Sequence, residues 1–523
     1  MMRFLKCYWL HGLWLMGSFF VSLIGFYYPD LWWQLREAVD AFSGESRSLA
    51  ERNSFGFPSQ DFAGDYWFYK WVIGTVFQFG GWLGLRIFFT LLAISPFFML
   101  TFILLRWRLP APELGYLLGG IGALFLFQRI EHRPEMVGFI CQFLTTVLLI
   151  LPMSGLNGWR LLAFLLLGMV WSNCHGSFAI GVIVFLFQGF FSALVHFFKK
   201  EAGIFSIKTW MLSFGAFVFG CTMTPAGFDR LFEPLRLQTD QWAKVASPEM
   251  WPMPVGYLPL LLLLFLILTW VFIKGKIQLR YYWFLLATAF FVWMSIVSVR
   301  YATIFGVHCL AMGVVASFTK EKFVIQKWSP LLVSFILLIG VVGRQKLVLN
   351  SLTLDFRGVG FGVAALEELE EKGGAQGAML CHPAVGSYIQ WQHPELTPLI
   401  DTGFARFEDD TVRYLAYLKW NPEAFEIALN SLRVDYVMIS SLTRQWIPYL
   451  EQHPNWKLMH QAPDGWVFQR ISHDSFDLSE LDPSEEEIAD FDKSLRLDSL
   501  QWDQPTKEWF SHYTELLNGR LSN

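Results

Sequence analysis

Charge is scarce in this sequence: Asp, Glu, Lys and Arg together make up 16% of 523 residues, against 54% apolar and 18% aromatic residues. Soluble domains carry about 25% charged residues, so the composition argues against that class and for a polytopic membrane protein. A basic excess is missing too. The formal net charge is -4, and no case for nucleic acid as a partner arises. Only six cysteines occur; Cys7, Cys141, Cys174, Cys221 and Cys309 fall in or beside apolar runs and Cys381 lies in a polar region. Their spacing suits neither a disulfide framework nor a metal-ligand set, which leaves buried inert thiols. The first apolar run follows Arg3 and Lys6 and ends in Tyr27-Tyr28-Pro29-Asp30 without a small-x-small cleavage site, so an uncleaved anchor is expected. No internal repeat is found, which disfavours a transporter built from two related halves.

What is present is a series of apolar runs. Taken at roughly 20 residues per crossing, about eleven transmembrane spans fit between residues 8 and 345. Arg106 and Arg108, Lys199 and Lys200, Lys274, Lys276 and Arg280, and Lys320 and Lys322 then share a side with Arg3 and Lys6. By the positive-inside rule that side is the cytoplasm, and the N-terminus lies there. The aromatic stretch from Trp67 to Phe79 carries Lys70 and stops at Gly80-Gly81, which reads as an interfacial helix. An odd span count places the chain beyond about 350 outside, in the periplasm of a bacterial inner membrane. The expected organisation is a membrane domain at 1–349 with an external loop at 29–82, a periplasmic α/β domain at 350–470, and an acidic tail at 471–523. In the second domain, strands are expected around 377–381, 398–401, 434–440, 456–460 and 466–469, and helices at 407–420 and 422–432.

The unusual polar residues gather on the outer side. Asp30, Asp61 and Asp65 lie in the first external loop, Arg129, Glu131, His132, Arg133 and Glu135 in the turn after the third span, Asn173 and His175 at the end of the fifth, and Arg300 at the top of the ninth. Acids paired with arginines and a histidine in loops rich in Trp and Pro suggest an outward-opening cleft. The sharpest feature is Pro29-Asp30-Leu31-Trp32-Trp33, a carboxylate beside two tryptophans at a membrane edge, where an idle charge is costly. Glycosyl transfer from a lipid phosphate needs a carboxylate to accept the acceptor's proton and cations to hold the departing phosphate. Asp30 suits the first role, or else caps a helix; Arg129 and Arg133 suit the second, or else pair with Glu131 or Glu135. His175 with Asn173 suits acceptor binding or an internal hydrogen bond, and Arg300 suits phosphate or lipid headgroups. Trp32, Trp33, Trp67 and Trp242 suit sugar stacking or interfacial belting. A metal-assisted hydrolase using His132 and His175 ranks low, because no His-x-x-His or His-Glu-x-x-His spacing occurs.

The order of these motifs resembles the bacterial integral-membrane glycosyltransferases of the GT-C class, in the branch whose first external loop reads Asp-x-Trp-Trp-His-Leu. Here that element is Asp30-Leu31-Trp32-Trp33-Gln34-Leu35. Asn53-Ser54-Phe55, Gly80-Gly81-Trp82-Leu83-Gly84-Leu85 and Arg133-Pro134-Glu135 follow in the family's order. Trp171-Ser172-Asn173-Cys174-His175-Gly176-Ser177-Phe178 is similar to Trp-x-Asn-x-His-Gly-x-Phe, and Thr224-Pro225-Ala226-Gly227 to Asn-Pro-Tyr-Gly. Gly386-Ser387-Tyr388-Ile389-Gln390-Trp391, Ile400-Asp401-Thr402-Gly403 and Val434-Asp435-Tyr436-Val437 extend the likeness to about residue 470. The resemblance implies a mainly α fold, a transmembrane bundle of GT-C type with a C-terminal α/β domain. It implies an enzyme taking a sugar from a polyprenyl-phosphate-linked donor in the lipid bilayer to a glycan, lipid or protein acceptor at the periplasmic face, with Asp30 as catalytic base and Asp65 as a second acid. Gln34 replaces the family's His and Asp65-Tyr66 its His-Glu, which leaves the part played by a divalent cation open. Two other roles are a non-catalytic component of a glycan or lipid export machine and a polysaccharide polymerase or ligase, the latter resting on the arginines and His175.

Overall fold

The computed structural model describes residues 10–19, 29–43, 66–126, 133–150, 157–199, 207–232, 258–321, 331–339, 363–371, 376–393, 395–398, 433–440, 447–462 and 465–472, with a few single positions between them. By its contacts the chain divides into two compact units, Met1–Phe26 with Ala63–Leu354, and Tyr27–Phe62 with Asp355–Asn523. The segment 27–62, expected as part of an external loop of the membrane domain, therefore groups with the C-terminal part of the chain.

The first unit is helical. Its elements are α2 (Trp67–Arg106), α3 (Pro112–Leu126), α4 (Glu135–Ile150), α5 (Gly158–Cys174), α6 (Phe178–Lys199), α7 (Ile207–Thr222), α8 (Leu258–Lys274), α9 (Trp283–Val297) and α10 (Tyr301–Ala316). Among the described residues three helical stretches, Trp67–Arg106, Phe178–Phe197 and Leu279–Val297, are long and apolar enough to cross a membrane, and several shorter helices are apolar too. The α2 stretch is broken at Gly81, whose φ of 54° and ψ of -149° lie outside the helical region. Only glycine takes that conformation cheaply, so the Gly80-Gly81 pair ends one helix and starts another. The second piece contains Pro96, which has no N–H for the carbonyl of Leu92. Ser95 replaces the missing donor, its Oγ donating to Leu92 O at 2.7 Å, so the backbone stays satisfied in apolar surroundings.

At the centre of this unit lies α10, every residue of which is buried. A helix buried on all sides needs neighbours that approach closely, and glycine permits it. A Cβ at Gly122 of α3 would strike the carbonyl of Gly306 of α10, and one at Gly313 would strike that of Gly115. The pair α5 and α7 repeats the device, with Gly168 against Phe217 O and Gly220 against Leu165 O. The amide of Ala111 donates to Ser317 O at 3.1 Å and Thr319 Oγ1 to Gly275 O at 2.7 Å. The helix ends carrying Arg106 and Arg108, Lys274 and Lys276, and Lys320 thereby meet at the C-terminal end of α10, opposite Arg300. Cys141, Cys174, Cys221 and Cys309 are buried thiols, as their apolar neighbours in the sequence suggest.

The second unit contains α1 (Pro29–Ser43), α11 (Val363–Glu371), α12 (Pro383–Gln392), α13 (Ile447–Gln452) and a five-stranded sheet. Its strands are β1 (Gly377–Leu380), β2 (Leu396–Pro398), β3 (Tyr436–Ser440), β4 (Trp456–Ala462) and β5 (Gly465–Arg470), in the order β2-β1-β3-β5-β4. The first three are parallel, with α12 as the crossover between β1 and β2, and β5 and β4 add antiparallel. All five expected strand positions correspond to these strands within a few residues, whereas the helices expected at 407–420 and 422–432 and the tail from 473 lie outside the described residues. Asp435 ties the sheet together: its Oδ2 accepts from the amide of Ala378 at 2.8 Å, and its own amide donates to Ala378 O at 2.9 Å. A Cβ at Gly377, whose φ is +128°, would collide with that carboxylate.

Two substitutions test this packing in the full-length protein in detergent. Gly122→Leu wedges α3 away from α10 and is expected to destabilise the first unit by about 3 kcal/mol, the upper part of the overpacking range; an unchanged melting midpoint would refute the close contact. Gly377→Ala is expected to cost about 2 kcal/mol through strain and overlap. Hydrogen exchange checks it: protection should fall at Met379, Leu380 and Val437 while α10 stays protected.

Candidate functional site

The first unit places a carboxylate, three guanidinium groups and an imidazole together at the ends of apolar helices. Glu135 is the first residue of α4, where the partial positive charge of a helix N-terminus favours a carboxylate. Arg300 is the N-cap residue of α10, where the same field disfavours a cation. The two offset each other: Arg300 Nε and Nη2 both donate to Glu135 Oε1, at 3.0 and 2.6 Å. Arg133 approaches the other oxygen, Nη1 to Oε2, at 3.9 Å. The Glu135, Arg133 and His175 side chains are 8 to 9% exposed and that of Arg300 is 30% exposed, so Arg300 is the open member of the group.

His175 follows α5 in extended backbone, φ -161° and ψ 145°. Its Nδ1 accepts the amide of Ser177 at 3.1 Å. In the neutral ring the proton is then on Nε2, which faces Glu135 Oε1 at 3.5 Å and Arg300 Nη2 at 3.4 Å. Two donors cannot bond each other, so of these two groups only the Glu135 carboxylate, 3.5 Å away, can accept from the imidazole. The ring of Tyr66 stacks on His175, centroids 5.7 Å apart and planes 15° from parallel. Tyr66 itself holds a left-handed conformation, φ 55°, at the start of α2. Arg230 lies 5.7 Å from the Tyr66 ring and 5.9 Å from that of Phe178, and donates Nε and Nη2 to Ser172 O at 3.1 and 2.9 Å.

The motifs around the group brace one another. Trp171 Nε1 donates to Ser177 Oγ at 2.9 Å, which holds the turn that carries His175. Asn173 Nδ2 donates to Met169 O and Met223 O at 2.7 and 2.8 Å, and its Oδ1 accepts from Trp67 Nε1. The amide thus ties α2, α5 and the chain after α7 together and spends its polar atoms on protein. In Thr224-Pro225-Ala226-Gly227 the amide of Gly227 donates to Thr224 O at 3.0 Å, and Gly227 has φ +56°. That turn starts the 3-10 helix Gly227–Leu231, on which Arg230 sits.

The structure therefore brings Arg133, His175 and Arg300 together, with Asn173 as a brace beside them. It adds three residues that the sequence did not mark as site members: Glu135, Arg230 and Tyr66. Glu135 was legible only as one loop acid among several, and Arg230 had no signal beyond the turn that precedes it. Asp30 falls in the first turn of α1, within the second unit, and its side chain lies outside the described residues. Asp65 and Arg129 lie outside them too, as do Glu131, His132 and Trp242. Trp32 and Trp33 are buried, 5 and 6% exposed, and so is Gln34 at 1%. Trp32 packs edge-on to Tyr388 at 5.4 Å and against Trp391 at 6.5 Å, in the contact between α1 and α12. Burial there pushes the Tyr388 phenol up to about 12. Among the described residues no group of three or more His, Cys, Asp or Glu side chains could hold a metal ion. No family model and no curated protein matches the chain.

The ion pair makes a stability prediction. Arg300→Ala removes the nearest cation from a buried carboxylate and is expected to cost about 2–3 kcal/mol, below the range for fully buried pairs because Arg300 is partly exposed. Combining Arg300→Ala with Glu135→Ala should recover part of that loss. Melting curves of the two proteins in detergent check it, and a double variant no more stable than Arg300→Ala would rule out the pairing energy.

Proposed function

We propose that the protein is a membrane glycosyltransferase that moves a sugar from a polyprenyl-phosphate-linked donor to an acceptor at the outer face of a bacterial inner membrane. The observation that carries this is the group of Arg133, His175 and Arg300 around Glu135 at the ends of apolar helices, with Arg230 next to it against the Tyr66 ring. Guanidinium and imidazole donors converging in a weakly polar setting suit a phosphate, which is bound best by planar, charge-assisted donors. As the glycosidic bond breaks, negative charge grows on the departing phosphate, and fixed cations stabilise it more than they stabilise the intact donor. From the resemblance in the sequence, Asp30 is the proposed base for the acceptor hydroxyl, and Asp65 and Arg129 are proposed to bind substrate; Trp32 and Trp33 hold the segment that carries Asp30. The sidedness is also a proposal. It is supported by the basic residues at 106–108, 274–276 and 320, which meet at the end of α10 opposite Arg300. In that orientation the N-terminus is cytoplasmic and the C-terminal unit periplasmic, with about eleven spans in a GT-C bundle.

A second reading is favoured by one observation: Trp32 is packed against Tyr388 and Trp391. An Asp-x-Trp-Trp segment used for internal packing suits a non-catalytic component of a glycan or lipid assembly machine. The two are separated by measuring polyprenyl phosphate released from a lipid-linked donor extract by the protein in liposomes. Asp30→Asn is expected to lower release by roughly 10²-fold or more, and Arg300→Ala by a similar factor. Full release by a folded Asp30→Asn protein would reject Asp30 as the base, and with Arg300→Ala and His175→Ala both inactive it would point to a polymerase or ligase. No release by any form, wild type included, would favour the non-catalytic component.

A further inference from the structure

We infer that Glu135 is a positioning residue: it orients Arg300 so that one partly exposed guanidinium faces an incoming phosphate oxygen. This rests on the phosphate-binding reading of the cluster. Three features of the geometry lead to it. The carboxylate is nearly buried and takes two bonds on a single oxygen from one edge of the guanidinium, at 3.0 and 2.6 Å, which fixes both the position and the plane of the group. The same oxygen faces His175 Nε2, whose ring is set by the Ser177 amide on one side and by Tyr66 on its face, so imidazole and guanidinium share one reference atom. Arg300 is the most exposed side chain of the group, at 30%, whereas Glu135, at 8%, has its two oxygens turned to Arg133, His175 and Arg300.

An arginine on an apolar helix bundle has many rotamers, and ordering it at the moment of binding weakens affinity. A carboxylate that holds the guanidinium beforehand removes that cost. It also keeps the cation from turning towards lipid headgroups at the membrane surface, where long basic side chains otherwise reach. Glu135 therefore acts through Arg300 and, more weakly, through His175; it touches neither donor nor acceptor.

The test uses the full-length protein in detergent with farnesyl phosphate as a lipid-borne probe and inorganic phosphate as a free one. Wild type should bind farnesyl phosphate and, at equal concentration, leave inorganic phosphate unbound; the reverse would assign the site to free phosphate. Glu135→Gln keeps the shape and removes the charge, and should bind farnesyl phosphate about tenfold more weakly, the loss of one charge-assisted contact. Arg300→Lys keeps the cation and loses its planar edge, and should weaken binding by a similar factor of about ten. Wild-type affinity in either folded variant, or tighter binding by Glu135→Gln, would overturn the inference, since a carboxylate that merely competes for Arg300 gives the opposite sign. A readout free of ligand separates failure of the inference from failure of the phosphate reading. The ¹⁵N-edited Nε–H resonance of Arg300, identified by its absence in Arg300→Lys, should be protected from solvent exchange in wild type and exposed in Glu135→Gln. If that signal behaves so and no phosphate binds, the phosphate reading falls and the positioning stands. If it is unchanged in Glu135→Gln, the positioning falls whatever binds.

Discussion

A charged carboxylate near the end of an apolar bundle must find a cation, and the contact between Glu135 and Arg300 is where this fold meets that demand. Desolvating an ion costs several kcal/mol, so a lone Glu135 would exclude the close packing around it. The pair also balances the helix fields: Arg300 sits at the N-cap position of α10, where a cation is disfavoured, and Glu135, at the start of α4, supplies the opposite charge. Because α10 is buried along its whole length, the side chain at its cap is placed by everything that packs around that helix. The glycines of α3 that let the two backbones touch thus belong to the site as much as the residues within it.

Around this pair the chain divides labour between bracing and exposure. Asn173, Trp67, Trp171 and Ser177 spend their hydrogen bonds on one another and on backbone carbonyls, and they leave His175 held from both sides. Arg230 is anchored to Ser172 O and stacked under Tyr66, which in turn covers His175. Such layers of support are what a preorganised anion site requires, because donors fixed before binding need no rearrangement when charge develops. Tyr66 holds its unusual backbone conformation at the point where these layers meet.

The segment with Asp30 behaves differently. Its tryptophans and Gln34 face inward in the second unit, and Trp32 lies against two aromatic residues of α12. Residues of a type that suits sugar stacking thus carry packing, and any catalytic role for this segment rests on Asp30 rather than on the aromatic pair.

The sequence by itself determined a mainly helical chain with apolar helices and a small sheet. Apolar length marked the helices, a glycine pair marked the break in α2, and short β-branched and aromatic runs marked all five strands, because each of these signals is local. It also placed Arg133, His175 and Arg300 among the unusual polar residues, since charge beside apolar runs is visible in one dimension. The tertiary structure alone decided that these three meet, that the Glu135 carboxylate is the group they share, and that Arg230 and Tyr66 complete the layer. It decided as well that 27–62 groups with the C-terminal part of the chain. Those choices depend on which helix ends converge and which faces approach across glycine, and residues 135, 175, 230 and 300 come together only when helices distant in sequence have packed.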